Sequence, residues 1–193
     1  MREEEIKEII KEETEERIEQ IKELLKSQYE KNNERYILNF KDVVKKGLCE
    51  AEKRRKENKK GEIKYIYVNC LRTSIETKEY EYLIRIMDEE QYTDTEVVEV
   101  TYVPEYIPEL IKKDEEYFEK LIMKKVIRAK KYEVKDFLRE YIWKIYIKPI
   151  PEEIKYVLSN MNELEEFNIV EHSEKIRVSY GELFERMEYN WKY

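Results

Sequence analysis

His172 is the only histidine in the chain, and Cys49 and Cys70 are its only cysteines. Histidine is the side chain that titrates near neutral pH, and paired His and Cys side chains are the usual ligands of zinc. A single histidine therefore excludes every mechanism that needs two within one chain. No His-Glu-x-x-His occurs, and Ile169 stands where a Glu-x-x-His pair of the di-iron type would need its acid. Ser173 follows His172 directly, but neighbours in sequence seldom reach triad geometry. The segment Glu171-His172-Ser173-Glu174 reads instead as a polar turn between strands, and catalysis is not expected to depend on His172.

Glu-x-Lys at the start of a strand serves some metal-dependent nucleases, and Glu62-Ile63-Lys64 has that placing. Six such triplets occur, starting at Glu5, Glu57, Glu62, Glu76, Glu133 and Glu153. Composition alone gives about five or six by chance, so the triplet carries no information. Three glycines are too few to suggest a phosphate-cradling loop. The two cysteines lack Cys-x-x-Cys spacing and read as reduced thiols in a cytoplasmic protein. No cofactor and no metal is expected.

Two basic clusters could meet phosphates. One is Lys53, Arg54, Arg55 and Lys56. The other gathers Lys124, Lys125, Arg128, Lys130, Lys131 and Lys135. Cations also suit a helix C-terminus, which is the plainer reading of the first run. Tyrosines offer a third chemistry. Tyr65 and Tyr67 share one strand face and Tyr80 and Tyr82 another, which would make a stacking platform for bases or sugar rings if all four were exposed. The commoner use of such aromatics is packing a sheet beneath helices, and that is the expectation here.

The elements that must position these groups follow from periodicity. Residues 3–58 read as helix, with Ile6, Ile9, Ile10, Ile18, Ile21, Leu24 and Leu25 on a narrow stripe in which Thr14 replaces an apolar residue. A break is expected over Ser27 to Asn33, leaving a helical hairpin or one long helix. A second stripe runs from Tyr36 through Phe40, Val44 and Leu48 to Ala51. Beyond Gly61 the period shortens to two. Strands are predicted over 62–75, from Tyr80 to Ile86 across a turn at Glu76–Lys78, and from Val98 to Tyr102, with a polar loop from Asp88 to Asp94. Helices are predicted over 104–131, 133–147 and 151–163, the second with Ile145 on its stripe. A last strand runs from Ile176 to Tyr180, and Leu183 to Trp191 fits either strand or helix.

This pattern defines an α+β fold: a small, mainly antiparallel sheet of three to five strands covered by amphipathic helices and preceded by a long N-terminal helical arm or hairpin. The expected division is an arm over 1–60 and an α+β domain over 61–193, or one continuous domain over 1–193. The net charge of −7 disfavours the whole surface as a nucleic-acid footprint. No apolar run is long enough to span a membrane, and no secretory leader is expected, since Met1-Arg2-Glu3-Glu4-Glu5 is acidic and lacks an apolar stretch. The first 30 residues carry 6 basic and 11 acidic side chains, whereas the next 30 carry 11 and 5.

The leading functional expectation is a non-enzymatic interaction or adaptor module. Ile10, Ile18, Ile21 and Leu25 would form a helical seam with a protein partner or a second copy. A nucleic-acid-binding regulator using Lys53, Arg54, Arg55, Lys56, Lys124, Lys125 and Arg128 is the alternative. An enzyme built on carboxylates and tyrosines is the third.

Overall fold

The computed structural model describes residues 2–57, 59–170, 172–185 and 187–193, and for 172–174 the backbone only. Helix α1 (Arg2–Lys31) opens with Glu3, Glu4 and Glu5 in its first turn, which complements the helix dipole. The expected break falls at Asn32, and helix α2 (Asn33–Lys56) follows. Strand β1 (Ile63–Cys70) is buried along most of its length. A short helix, α3 (Thr73–Thr77), precedes β2 (Tyr82–Met87) and β3 (Val98–Tyr102). Helices α4 (Ile107–Lys125), α5 (Lys131–Ile142), α6 (Glu152–Ser159) and α7 (Glu165–Ile169) come next, and strands β4 (His172–Glu182) and β5 (Met187–Lys192) close the chain.

The chain forms two compact units, grouped differently from a cut at residue 60. A helical unit takes the chain up to Lys31, Arg72–Tyr80 and Pro104–Pro149, and a sheet unit takes Asn32–Leu71, Glu81–Val103 and Ile150–Tyr193. The two N-terminal helices therefore belong to different units.

In the sheet unit the strand order is β3-β2-β1-β4-β5. Only the β1–β4 pairing is parallel, so the sheet is mainly antiparallel as its sequence implies. Helix α2 buries Tyr36, Phe40, Val44, Leu48 and Ala51. It comes very close to the sheet at Gly47, where a Cβ would stand 2.8 Å from Ile86 Cδ1 and 3.3 Å from Val100 Cγ2. Helix α2 thus covers the face that carries Ile66, Ile86 and Val98, which lie in register with one another. Tyr102 on that face packs edge-on against Phe40, ring centroids 4.9 Å apart, and its phenol donates to the buried Glu153 at 3.1 Å. Tyr65, Tyr67 and Arg85 point to the opposite face, because side chains alternate along a strand.

Several sequence expectations change. The turn expected at Glu76–Lys78 lies in α3 and its left-handed cap Lys78, and Tyr80 precedes β2 with φ 51°, so Tyr80 and Tyr82 do not share a strand. Tyr67, Tyr80 and Tyr82 are buried, as core tyrosines should be, while Tyr65 is half-buried. The ambiguous tail from Leu183 to Trp191 ends as a strand, β5, paired antiparallel with β4. The polar turn assigned to residues 171–174 is replaced from His172 onward by strand backbone; Glu171 lies outside the described residues, as do the side chains of His172, Ser173 and Glu174.

The helical unit packs α1 against α4 and α5. Ile6, Ile10 and Ile21 are its buried residues, and Thr14 turns its hydroxyl back to donate to the Ile10 carbonyl at 2.5 Å. After Ile142 the helix widens into one π-turn over Trp143–Ile147, closed by Lys148 N–H donating to the Trp143 carbonyl at 2.8 Å. The extra residue rotates the buried face, so Tyr146 and Ile147 enter the core and Ile145 is left half-buried. The Tyr146 phenol donates to Asp114 Oδ2 at 2.6 Å, and the Tyr141 phenol donates to the same oxygen. Arg17 reaches the other oxygen at 3.2 Å with its guanidinium 3.8 Å from the Tyr117 ring centroid. Burial, then the neighbouring Tyr141 phenol and the Asp114 carboxylate, push the Tyr146 hydroxyl well above its ordinary range.

The two thiols differ sharply. Burial, reinforced by Glu182, pushes Cys70 up to about 12, whereas Cys49 is exposed on α2. Because the thiolate is the nucleophile, iodoacetamide at neutral pH is expected to label Cys49 and spare Cys70 in the folded protein. Mass spectrometry showing equal labelling of both would place Cys70 outside the core.

Candidate interaction surface

The second basic cluster becomes a built feature. Helix α4 stops at Val126, which turns extended while its N–H still donates to the Ile122 carbonyl at 2.8 Å. Arg128 takes the left-handed conformation, φ 63°, and reverses the chain into α5. The Lys130 N–H donates to Glu133 Oε2 at 2.9 Å, which satisfies the first turn of α5. Val126 and Ala129 are buried and anchor the corner. The residues between them project outward, and Ile127 is 86% exposed. Met123 and Tyr132 flank it at 47% and 59% exposure. A helix over 104–131, as the sequence suggested, would instead have spread these side chains around a cylinder.

The charge of this corner is one-sided. Residues 120–135 contain seven cations and one acid, Glu133. That acid is buried and engaged from within the unit by Arg2 and by the Lys130 N–H. Lys131 pairs with Glu119, and the Lys130 ammonium lies 5.6 Å from the Tyr132 ring centroid. Among the described residues, Lys124, Lys125, Arg128 and Lys135 have no ion-pair partner.

The first cluster is different. Arg54 pairs with Glu50 at 3.0 Å and with Glu96 at 3.7 Å, and its guanidinium also donates to the Glu96 and Val97 carbonyls. Arg55 and Lys56 both pair with Glu52, at 3.0 and 3.4 Å, and Lys53 lies 4.0 Å from Glu50. The hydrogen bond from Arg55 and the nearby Lys56 hold the Glu52 carboxyl below its ordinary range. Each of these four cations thus has a carboxylate partner, shared among Glu50, Glu52 and Glu96, unlike Lys124, Lys125, Arg128 and Lys135.

The seam proposed for α1 is also occupied. Ile10 and Ile21 are buried within the helical unit, while Ile18 and Leu25 are half-buried. Leu24 is the large apolar side chain of α1 that remains exposed. A carboxylate–tyrosine enzyme site has two counterparts, Asp114 with Tyr141 and Tyr146, and Glu153 with Tyr102, and both lie in packed interiors. Among the described residues no cluster of His, Cys, Asp or Glu is placed to hold a metal, and no helix is long and apolar enough to cross a membrane.

No family model, curated protein or solved structure matches the chain. The exposure of Ile127 has one sequence signal: it lies off the apolar stripe Ile122, Val126 and Ala129, between two lysine pairs, 124–125 and 130–131.

Proposed function

We propose that the chain is a non-enzymatic interaction module that binds a polyanion, in first place the phosphates of a nucleic acid, through the corner between α4 and α5. The observation that carries this reading is the contrast between the two basic clusters. Both are dense in sequence, but only the corner keeps cations without carboxylate partners, around an apolar tip. The net charge of −7 disfavours phosphate over the surface as a whole, so the contact is local to this patch. Lys124, Lys125 and Arg128 supply the phosphate contacts. Ile127, Met123 and Tyr132 supply a small apolar area at the point of closest approach. Two free thiols suit a reducing, cytoplasmic setting.

A labelled oligonucleotide titrated by fluorescence anisotropy tests the proposal. Affinity should fall linearly on a log–log salt plot, with a slope of about −0.9 for each phosphate neutralised on a duplex. The triple variant Lys124→Glu, Lys125→Glu, Arg128→Glu should abolish binding with little change in melting temperature, since all three side chains are exposed. Lys53→Glu should leave binding unchanged. Absence of wild-type binding at low salt, or binding indifferent to salt, would remove the proposal. Self-association through the outer edge of α1, at Ile18, Leu24 and Leu25, is the reading to take up in that case, and light scattering would reveal it.

A further inference from the structure

The sheet face opposite α2 carries a second cluster, within the sheet unit. Tyr65 and Tyr67 lie edge to face, centroids 5.8 Å apart, at the middle of the sheet. Tyr67 meets Tyr92 at 6.1 Å, and Tyr92 meets Phe184 at 6.2 Å with the rings splayed at 44°. The outer two rings face solvent: Tyr92 is 48% exposed and Phe184 77%. Their backbones are held in an unfavourable way. Phe184 itself sits at φ 64° in the turn before β5, and Gln91, which leads into Tyr92, sits at φ 55°. A left-handed aromatic residue costs about 1–2 kcal/mol, and an exposed ring returns none of that through burial.

Beneath the rings lies a group with an unfilled bond. Arg85 is the direct cross-strand neighbour of Tyr67 and only 8% exposed. Its Nε donates to Glu99 at 3.1 Å, and its guanidinium lies 5.7 Å from the Tyr92 ring centroid. Nη1, however, is buried and has no partner. Asn69, two residues beyond Tyr67 on the same face, donates its amide to the Gly181 carbonyl at 3.4 Å, and its buried Oδ1 also has no partner. An unsatisfied buried polar group costs about 1–3 kcal/mol, and here an orphan donor and an orphan acceptor lie on the sheet face that carries the exposed aromatic rings, on adjacent strands. Glu99 already compensates the Arg85 charge, which removes the need for an anionic ligand.

We infer that this face is a binding site for a neutral planar heterocycle with a lactam edge, of the nucleobase class, its ring against Tyr92 and Phe184 and its C=O and N–H meeting Arg85 Nη1 and Asn69 Oδ1. Tyr92 stands on a three-residue turn, and its ring must move outward to admit that edge. Phe184 supplies stacking area. Tyr67 is fixed from below, because the Gln91 amide donates to its phenol at 2.6 Å. This site is independent of the polyanion reading, and a neutral nucleoside separates the two.

Isothermal titration of the full chain with uridine and inosine should show millimolar or tighter binding that is unaffected by salt or by the Lys124→Glu, Lys125→Glu, Arg128→Glu variant. N3-methyluridine and N1-methylinosine lack the lactam N–H and should bind about tenfold more weakly. Phe184→Ala should also weaken uridine about tenfold, as loss of a stacking ring does, while its exposed side chain leaves the melting temperature near wild type. Asn69→Ala should abolish discrimination between uridine and its methylated form, because Asn69 Oδ1 is the acceptor of the lactam N–H; if that variant fails to fold, the methylated nucleosides test the edge in the wild-type protein. No binding of either nucleoside, or equal binding of methylated and unmethylated forms, would overturn the inference and leave water as the partner of Nη1.

Discussion

Asp94→Ala is expected to destabilise the sheet unit by about 3–5 kcal/mol, the range for removing one partner of a buried ion pair. Lys60 and Asp94 are paired with both side chains out of solvent, and Lys60 also donates to the Glu96 carbonyl at 3.2 Å. The same carboxylate accepts the backbone N–H of Asp88 at 3.2 Å and of Glu96 at 2.8 Å. Alanine would leave a buried ammonium without a counter-charge and free two amides at once. Asp88 would remain to hold the Gly61 and Glu90 N–H groups, at 3.1 and 3.0 Å, so the loop should loosen rather than vanish. Urea denaturation followed by circular dichroism reads the effect. A second variant sharpens it: Lys60→Met combined with Asp94→Leu removes both charges and should recover much of the loss, because apolar replacement of a buried pair is often near neutral. A single variant as stable as the wild type would show that Lys60 is solvated. The loop also carries Tyr92, so nucleoside affinity should fall with Asp94→Ala even where the sheet stays folded.

Asp114→Ala should cost the helical unit about 3 kcal/mol or more by the same mechanism. Here the carboxylate joins three elements, accepting from Tyr141 on α5, Tyr146 in the π-turn and Arg17 on α1. Its loss strands two buried phenols and a half-buried guanidinium. Tyr146→Phe removes one donor and keeps the ring, so about 1 kcal/mol is expected from it. The ratio between the two variants is the informative quantity. Equal effects would mean that the carboxylate serves Tyr146 alone and that Arg17 is held by its stacking on Tyr117.

Much of the architecture is legible in residue order. Alternation over 62–75 identifies the central strand, although the strand ends at Cys70 and Thr73, Ser74 and Ile75 turn into α3, and the stripe from Tyr36 to Ala51 identifies a helix that must cover something. What it covers is another matter. The pattern marks a face as buried without naming its neighbour, so the Ile10 and Ile21 stripe pointed equally well to a partner helix and to α4 and α5. Local backbone departures were harder still. A π-turn moves one residue, exchanging Ile145 for Tyr146, and no propensity announces it. The left-handed Arg128 is similarly silent, yet it turns the chain from α4 into α5. The two basic clusters show the opposite case. Glu50 and Glu52 stand four residues before Arg54 and Lys56, a spacing that forms helix ion pairs, so the pairing of those two cations is readable in residue order. The orphaned Nη1 of Arg85 was not, because it depends on what three strands and a loop fail to provide.

The parallel pairing at the middle of the sheet has a consequence for biosynthesis. Tyr67 on β1 lies opposite Ser179 on β4, more than a hundred residues later in the chain. During synthesis β1 can pair with β2, and β2 with β3, soon after they emerge, but the other edge of β1 stays open until β4 has left the ribosome. That edge is apolar, and an unpaired apolar edge is a template for joining another chain. The closing step must also wait for a long loop to be fixed, which slows it. A nascent chain of this protein is thus exposed to misassembly for most of its translation, and substitutions that slow docking of β4 should reduce yield before they reduce the stability of the finished fold.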